Sequence, residues 1–432
     1  MKAPITGVVW GVGVRREYLA VVGVDVGGRD DLRLKGLIRT VGMVLCVFGA
    51  ATDASVSMAS PPPAQALSIG DRRPVFRSLA NPAAPWTDDG RQTLLTFVHI
   101  TDTHVGKVPQ TPQGPVDDAE AFKEVIEAIN GLSPRPAFTL ITGDLTDGWR
   151  PDEIRRFKAL REELMTPCYV VGGNHDVTFD PTPSHLKDWE RTFPDAPLPY
   201  AFKRGPFAFI GFDSQVYNAK RTDRAVDPMA AQQWTELVGL VRAARKEGKR
   251  IFLFAHIPAI PSFFRQKVKA SWETPYVEPY LRLLKDERVE ATLTGHLHRD
   301  EMYIREETLF LNAPPVSRWE TRDSSYRLYR VTDQGLMYRQ IYTGPEGRQR
   351  SYEVDLHGVT EKGYGAWVDG LDESGLRVLW EQRYAGDDAS GRLFGDLNRE
   401  HFRAFLKDPF SYQPTRGAVR RFKPRGSGSG GR

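Results

Sequence analysis

Short clusters of aspartate, asparagine and histidine are spaced along the middle of the chain. The clusters are Asp102-Thr-His104, Gly143-Asp144, Gly173-Asn174-His175-Asp176, His256 and Gly295-His296-Leu-His298. Carboxylate, amide and neutral imidazole ligands together suit Mn, Fe, Zn, Ni or Co better than Ca or Mg alone. A carboxylate shared by two such ions would hold them about 3.5–4 Å apart, the spacing with which two-metal hydrolases clamp a phosphoryl group. No cluster is persuasive alone, but together they predict a dinuclear metal centre.

The spacing inside two clusters places ligands in pairs. In an extended segment the side chains repeat every two residues, so Asp102 and His104 point the same way, as do His296 and His298. A glycine precedes several proposed ligands, and we expect it to let the backbone turn sharply and approach the metals closely. These glycines are Gly143, Gly173 and Gly295.

Each cluster follows an apolar, β-branched run that predicts a strand. The predicted strands are Leu94–Ile100, Phe138–Thr142, Cys168–Val171, Phe207–Phe212, Ile251–Ala255, Ala291–Thr294, Leu309–Leu311 and Tyr326–Val331. Apolar residues at helical spacing predict helices over Val116–Ile129, Pro151–Met165 and Met229–Lys246. Alternating strands and helices indicate an α/β domain, in which sites form beyond the carboxyl ends of the strands.

The motifs DTH, GD, GNHD, H and GHLH, in this order, resemble the calcineurin-like metallophosphoesterase superfamily over about residues 93–345. The resemblance implies a βαβ-sandwich, with two facing mixed sheets flanked by helices. It implies two divalent transition-metal ions bridged by Asp144. The first ion would be held by Asp102, His104, Asp144 and His298, and the second by Asp144, Asn174, His256 and His296.

The same resemblance implies a mechanism. A metal-bridging hydroxide would attack phosphorus in line, and His175, which is not a ligand, would assist the leaving group. Asp176 would orient His175. Purple acid phosphatases replace the residue at His104 and carry a tyrosine after the GD motif, which is absent from the segment between Asp144 and Asp147. The motif pairs instead resemble the bacterial cyclic-nucleotide phosphodiesterase branch.

We therefore expect a phosphoric ester hydrolase, foremost a phosphodiesterase that acts on small-molecule or lipid-linked phosphate esters. Phosphomonoesters are a second substrate class. A DNA-processing nuclease of the same superfamily is one alternative, but 59 basic against 55 acidic side chains, a net charge of +4, do not favour a nucleic-acid partner. A second alternative is a non-catalytic binding module on the same scaffold, although no predicted ligand is missing.

The ends of the chain differ from its middle in residue composition and pattern. Residues 1–70 predict an N-terminal extension, in which Arg33, Lys35 and Arg39 precede an apolar run and then small residues. This order is typical of a secretory signal and predicts export, periplasmic or secreted, with a cytoplasmic protein as the alternative. The run is too short for a stable transmembrane helix.

The rest of the chain divides into four predicted segments. Residues 71–92 predict an irregular linker, and residues 93–345 predict the catalytic domain. Residues 346–424 predict a C-terminal extension of unknown role, and residues 425–432 a flexible tail.

Several polar residues outside the motifs also have expected positions or roles. His99 is expected to be packed at the end of a strand, and His185, His357 and His401 are expected at the surface. Asp147 is expected either to support the site or to cap a turn. We also predict an exposed Arg299, and a lid or substrate wall over residues 257–272, with ordinary surface packing as the alternative.

Overall fold

The computed structural model describes residues 8–14, 17–23, 72–111, 114–176, 181–182, 184–219, 224–259, 272–319, 323–344, 351–384 and 399–409. The chain divides into two compact units, Met1–Ala66 and Leu67–Arg432. In the first unit, strands β1 (Val8–Val14) and β2 (Glu17–Gly23) pair antiparallel. The apolar segment that predicts a secretory signal lies outside the described residues. Among the described helices, none has both the length and the apolar character needed to span a bilayer.

A seven-stranded mixed sheet carries the first three ligand clusters. In order across the sheet, its strands are β3 (Val75–Ser78), β17 (Tyr352–Asp355), β16 (Gly335–Thr343), β15 (Ser324–Thr332), β4 (Thr93–Ile100), β7 (Thr139–Thr142) and β8 (Cys168–Val171). Strands β4, β7 and β8 are parallel, whereas β15 pairs antiparallel with β4. The carboxyl ends of β4, β7 and β8 therefore meet at one edge of the sheet.

A six-stranded mixed sheet carries the remaining two clusters. Its order is β13 (Glu301–Arg305), β14 (Thr308–Asn312), β12 (Ala291–Thr294), β11 (Arg250–Phe254), β10 (Phe207–Gly211) and β9 (Tyr200–Arg204). The four inner strands are parallel and the outer two are antiparallel to their neighbours. A separate two-stranded pair joins β5 (Gln110–Thr111) to β6 (Gly114–Pro115).

Aromatic side chains fill the space between the two sheets. Phe97 on β4 lies 5.2 Å from Phe209 on β10 and 6.1 Å from Phe252 on β11, measured between ring centroids. Phe138, just before β7, lies 4.9 Å from Phe209. All four rings are fully buried. Since these residues come from both sheets, the sheets face each other, and the predicted βαβ-sandwich is confirmed.

Helices cover the outer faces of the sandwich. The described helices are α1 (Asp118–Asn130), α2 (Pro151–Glu162), α3 (His185–Thr192), α4 (Asp227–Lys246), α5 (Thr274–Asp286), α6 (Glu361–Asp369), α7 (Glu373–Tyr384) and α8 (Arg399–Lys407). The predicted helices correspond to α1, α2 and α4 within a few residues. Helix α1 begins at Asp118 because the Asp117 carboxylate accepts the N–H of Ala119 at 2.9 Å and caps the first turn.

Segments on both sides of the predicted catalytic domain enter the same sheet. Residues 71–92, expected to be an irregular linker, contribute β3. Residues 346–424 contribute β17 and helices α6 to α8. Strand β3 pairs antiparallel with β17, where Phe76 lies opposite Val354. The two chain segments therefore form one edge of the seven-stranded sheet together.

Candidate metal centre

The structure brings all the predicted site residues to one place. Asp102 and Asp144 follow β4 and β7 by two residues, and His256 and His296 follow β11 and β12 by two. Because all four strands end at the same side of the sandwich, their loops converge. The side chains predicted to act there are all buried. They are Asp102, His104, Asp144, Asn174, His175, Asp176, His256, His296 and His298.

The first predicted ligand set is a tight group of four side chains. Asp102, His104, Asp144 and His298 each offer a ligand atom, and these atoms all lie within 4.8 Å of one another. Nε2 of His298 lies 3.1 Å from Oδ1 of Asp102 and 3.3 Å from Nε2 of His104. Two imidazole nitrogens that face each other beside two carboxylates fit a shared cation, because neutral imidazole and carboxylate both donate lone pairs to a metal.

The second set shares one carboxylate with the first. Asp144, His256 and His296 also place ligand atoms within 4.8 Å of one another. Oδ2 of Asp144 lies 3.2 Å from Nε2 of His256 and 3.6 Å from Nε2 of His104. Oδ1 of Asn174 lies 3.2 Å from the same nitrogen of His256. One oxygen of Asp144 therefore faces both sets, as a bridging ligand would.

Hydrogen bonds behind the ligands fix their orientation. Nδ1–H of His256 donates to the backbone oxygen of Thr142 at 2.8 Å, so Nε2 is the nitrogen that faces the site. Oδ2 of Asp102 accepts the Thr101 hydroxyl at 2.7 Å and the backbone N–H of His296 at 3.0 Å. These contacts hold the donor atoms in position, so the residues fit two divalent transition-metal ions.

The charges inside the site also favour a cation beside Asp144. Burial alone would raise the pKa of the Asp144 carboxyl, but His256 and its neighbouring imidazoles outweigh burial and hold that pKa well below its ordinary value. Burial likewise lowers the pKa of His256, but Asp144 and Asp102 raise it to about 9. The buried carboxylates therefore attract positive charge to this point.

The ligand loops have an unusual backbone. Positive φ angles occur at Asp102 (52°), His104 (43°), Asp144 (48°), His296 (69°) and His298 (54°). Residues with a side chain seldom adopt this left-handed conformation, which costs of order 1–3 kcal/mol each and persists where the surroundings fix it. Backbone bonds between the loops provide that restraint, since the N–H of His104 donates to the oxygen of Asp144 at 2.9 Å.

Two glycines allow the loops to approach each other. Gly143 has φ +86°, and a Cβ there would lie 2.7 Å from the His256 side chain. A Cβ at Gly295 would overlap the Thr101 hydroxyl and lie 2.5 Å from Oδ2 of Asp102. The close approach expected from the sequence is therefore present at both positions.

Asp147 contacts both His175 and a predicted ligand. Its Oδ1 lies 3.3 Å from Nδ1 of His104, and its backbone oxygen accepts Nδ1–H of His175 at 2.8 Å. Burial raises the pKa of Asp147, but His104 and Lys107 outweigh it and lower that pKa below its usual range. Of the two roles considered for Asp147, the contacts favour support of the site.

Asp176 connects two loops. Its carboxylate accepts the backbone N–H groups of Gly173 at 2.8 Å, Leu145 at 3.0 Å and Thr146 at 2.9 Å, and also the Thr146 hydroxyl at 3.1 Å. Burial and the nearby Asp144 raise the pKa of Asp176 to about 6 against these donors. The hydrogen bonds indicate that Asp176 joins the GD and GNHD loops. That Asp176 orients His175 stays a prediction, and the backbone oxygen of Asp147 also contacts the His175 ring.

A buried arginine supports the loop that carries His298. Nη2 of Arg327, on β15, donates to Oδ1 of Asp300 at 2.7 Å and to the backbone oxygen of Asn312 at 3.1 Å. The second oxygen of Asp300 accepts the hydroxyl of Tyr352 on β17. Asp300 follows His298 by two residues. The ligand loop is therefore tied to strands that come later in the chain.

Sequence reasoning missed Lys107 and Trp319 at this site. Nζ of Lys107 lies 3.0 Å from Oδ1 of Asp147 and 3.4 Å from the centre of the Trp319 ring. The Trp319 ring centroid lies 5.7 Å from that of His104 and 5.8 Å from that of His298. No motif marks Trp319, since it stands 21 positions beyond His298 in the sequence and is brought back by the fold.

Three polar residues outside the motifs are more buried than the sequence suggests. His185 and His357 are buried, not at the surface, because His185 pairs with Asp213 at 2.6 Å and His357 with Asp355 at 2.6 Å. Arg299, expected to be exposed, is also buried. His99 is packed as expected, with Nε2 2.8 Å from the Thr142 hydroxyl.

Most of the predicted lid, residues 260–271, lies outside the described part of the chain.

Part of this chain is similar to known phosphoesterases. Residues 95–300 match the family model for calcineurin-like phosphoesterases. A probable glycerophosphodiester phosphodiesterase, GpdQ of Arcobacter nitrofigilis, is 25% identical over 52% of this chain and 79% of its own. The serine/threonine-protein phosphatase CPPED1 of Mus musculus is 27% identical over 60% of this chain and 87% of its own. A solved dimetal phosphatase from Danio rerio aligns with a TM-score of 0.47 at 14% identity, covering 61% of this chain and 99% of that one.

Proposed function

We propose that this protein is a metallophosphoesterase that hydrolyses phosphodiester bonds in small-molecule or lipid-linked esters. Residues 95–300 match the family model for calcineurin-like phosphoesterases, which supports the proposal. The observation that carries the proposal is the carboxylate of Asp144, whose Oδ2 lies 3.2 Å from His256 and 3.6 Å from His104. A single oxygen between two ligand sets is the arrangement that a dinuclear hydrolytic centre needs.

The two predicted ligand sets would hold the ions. When bound, two divalent ions supply Lewis acidity, which lowers the pKa of a water molecule and neutralises charge on the phosphoryl oxygens. We assign Mn or Fe as the first metals to test, followed by Zn, Ni and Co, which the mixed nitrogen and oxygen donors also suit.

His175 is the proposed general acid. Its Nδ1–H is committed to the backbone oxygen of Asp147 at 2.8 Å, so Nε2 is the nitrogen through which the ring can pass a proton. As an imidazolium, His175 would donate that proton to the leaving oxygen and become neutral. The backbone N–H of the same residue donates to Asp144 at 2.8 Å, which holds His175 beside the ligand sets.

Two observations favour a diester over a monoester. Lys107 is paired with Asp147 at 3.0 Å, so its charge is already balanced and suits a substrate with one negative charge. The GpdQ relative is described as a glycerophosphodiester phosphodiesterase. The second candidate is a phosphomonoesterase, which the 27% identity to the phosphatase CPPED1 favours.

A nuclease and a non-catalytic binding module have less support. A net charge of +4 over the chain offers little attraction for the DNA backbone, which counts against a nuclease. A non-catalytic binding module would not need the whole set of buried ligands. Export remains a prediction from the basic and apolar segment before residue 52.

The test compares two esters on one metal-loaded preparation. Protein loaded with Mn should hydrolyse bis-p-nitrophenyl phosphate with a kcat/KM at least about tenfold above that for p-nitrophenyl phosphate. The opposite order would favour the phosphomonoesterase. Failure to hydrolyse either ester, with two metal equivalents bound, would overturn the proposed function.

A His175→Ala variant tests the general acid separately. A good leaving group such as p-nitrophenolate needs little protonation, whereas an alkoxide needs a proton. We expect the variant to lose about 100-fold or more in kcat on an alkyl diester and far less on bis-p-nitrophenyl phosphate. Equal losses on both esters would count against proton donation by His175.

A further inference from the structure

Trp319 is an exposed aromatic side chain at the edge of a buried site. The residue is 44% exposed, whereas His104, His175 and His298 around it are buried. Its ring centroid lies 5.7, 6.3 and 5.8 Å from those three imidazoles, and its plane is steeply inclined to theirs, by 73–79°. Trp319 is therefore an exposed aromatic surface that lies next to the proposed general acid.

The backbone that carries Trp319 is fixed to the metal-binding segment. The N–H of Val316 donates to the oxygen of Thr101 at 2.9 Å, and the N–H of Ser317 to the oxygen of Asp102 at 3.0 Å. The N–H of Trp319 donates to the Ser317 hydroxyl at 3.1 Å, and that hydroxyl donates to Asp118. The indole is therefore held by the same segment that provides the first ligand, which makes it part of the site's wall.

Lys107 fixes the ring and restricts what can approach it. Its Nζ lies 3.4 Å from the centre of the Trp319 ring, close enough for a cation–π interaction, and 3.0 Å from Asp147. One face of the indole thus already carries a positive charge. A substrate ammonium group would have to compete with Lys107 for the ring, whereas a neutral flat group can stack on the indole without that competition.

We propose that Trp319 forms the wall of a leaving-group subsite and favours phosphodiesters whose leaving group carries a neutral planar ring, such as an aryl or nucleoside group. This inference rests on the proposed function, because it takes His175 as the residue that meets the leaving oxygen. The His175 and Trp319 rings are 6.3 Å apart, so a ring attached to that oxygen reaches the indole.

The first experiment compares two diesters with different leaving groups. We expect Trp319→Ala to raise the KM for bis-p-nitrophenyl phosphate about 3- to 10-fold more than the KM for glycerophosphoethanolamine, an aliphatic and cationic diester. Each substrate is compared with itself between variants, so the unequal reactivity of the leaving groups cancels. Values of kcat should change little beside KM, and Trp319→Phe should restore most of the preference because it restores a flat ring.

Met165→Ala serves as the control, because it removes a side chain that is 57% exposed and lies outside the site. Its KM for both diesters should equal that of the wild type. If Trp319→Ala changes the KM of both diesters by the same factor, or if Trp319→Phe restores nothing, the leaving-group subsite is wrong.

The second experiment needs no turnover. Calorimetry on Mn-loaded protein compares phenylphosphonate with methylphosphonate, two ligands that cannot be hydrolysed at phosphorus and differ in the ring. The wild type should bind phenylphosphonate about 3- to 10-fold more tightly, and Trp319→Ala should abolish that preference. A preference retained in the variant overturns the inference even if the enzyme is a phosphodiesterase. A wild type that hydrolyses no diester overturns the proposed function, while the phosphonates still decide the role of Trp319.

Discussion

The backbone N–H of His175 donates to Oδ1 of Asp144 at 2.8 Å. The second oxygen of the same carboxylate faces His256 and His104. Asp144 therefore connects the two ligand sets and also positions the residue proposed to protonate the leaving group. A change at Asp144 should affect both metal binding and the chemical step.

Asp144→Asn should lose at least one of two bound metal equivalents and about 1,000-fold or more in kcat, because a neutral amide cannot bridge two cations as a carboxylate does. Metal content is measured by plasma mass spectrometry beside diesterase activity. Asp152→Asn, an exposed carboxylate in the first turn of α2, is the matched control and should keep both metals. Full metal content and activity in Asp144→Asn would refute the shared ligand.

Asp147→Asn should lower kcat about 10- to 100-fold while metal content stays near that of the wild type. The carboxylate at 3.3 Å from His104 Nδ1 orients a ligand, and the variant keeps the backbone oxygen that holds His175. The measurement is the kcat for bis-p-nitrophenyl phosphate at fixed metal occupancy. An unchanged kcat would assign Asp147 to the turn alone.

Gly295→Ala should weaken metal binding and lower the melting temperature, because the added Cβ overlaps the Thr101 hydroxyl and crowds Asp102. Gly239→Ala is the control, since a Cβ there meets nothing within 4 Å and Gly239 lies inside α4. That control should gain about 0.5–1 kcal/mol in free energy of unfolding. Equal thermal stability and metal content in the two variants would contradict the close approach at Gly295.

His185 should make the free energy of unfolding depend on pH. Its Nε2 faces Asp213 at 2.6 Å and its Nδ1 faces the backbone oxygen of Thr182 at 2.5 Å. Both partners accept, so only the doubly protonated ring satisfies both. Burial lowers the pKa of His185, but Asp213 outweighs it and raises that pKa above its ordinary value.

The raised pKa sets the sign of the effect. The stabilisation is complete below the unfolded pKa of about 6.5 and is lost as pH rises through the higher folded pKa. The free energy of unfolding of the wild type, measured by urea unfolding, should therefore exceed that of His185→Gln by about 1–3 kcal/mol at pH 6 and by less at pH 9. His401→Gln, at a half-buried position on α8, is the control. A difference that is the same at both pH values would show that the ring does not titrate in this window.

The convergence of the candidate ligands could be predicted because each cluster directly follows an apolar strand. An apolar strand and potential metal ligands lie next to each other in the sequence there, so Asp102 and His296 can be proposed as ligands without knowing the fold. The same reasoning failed where a partner comes from a distant segment. The sequence around His185 predicts a surface position, because its partner Asp213 is distant in the chain. The sequence around Trp319 likewise does not indicate the three imidazoles that lie beside it in the fold.

Strand pairing outside the motifs was equally hard to predict. Strand β3 has only four residues, of which most are exposed, so no alternation of apolar and polar side chains marks it. The burial of Arg327 could not be predicted from the sequence either, because an arginine in a strand is ordinarily expected to be exposed. Its role depends on Asp300, Gln340 and Tyr352, which the fold gathers around it.

The stretch recognisable by family, residues 95–300, ends before the strand that pairs with β4. Without β15, the central strand β4 would become an open edge, and open edges recruit strands from other molecules. The range that the family model matches is therefore shorter than the range that completes the seven-stranded sheet. A protease that cut near residue 320 would leave every predicted ligand in one fragment, and that fragment would be expected to aggregate instead of holding metal.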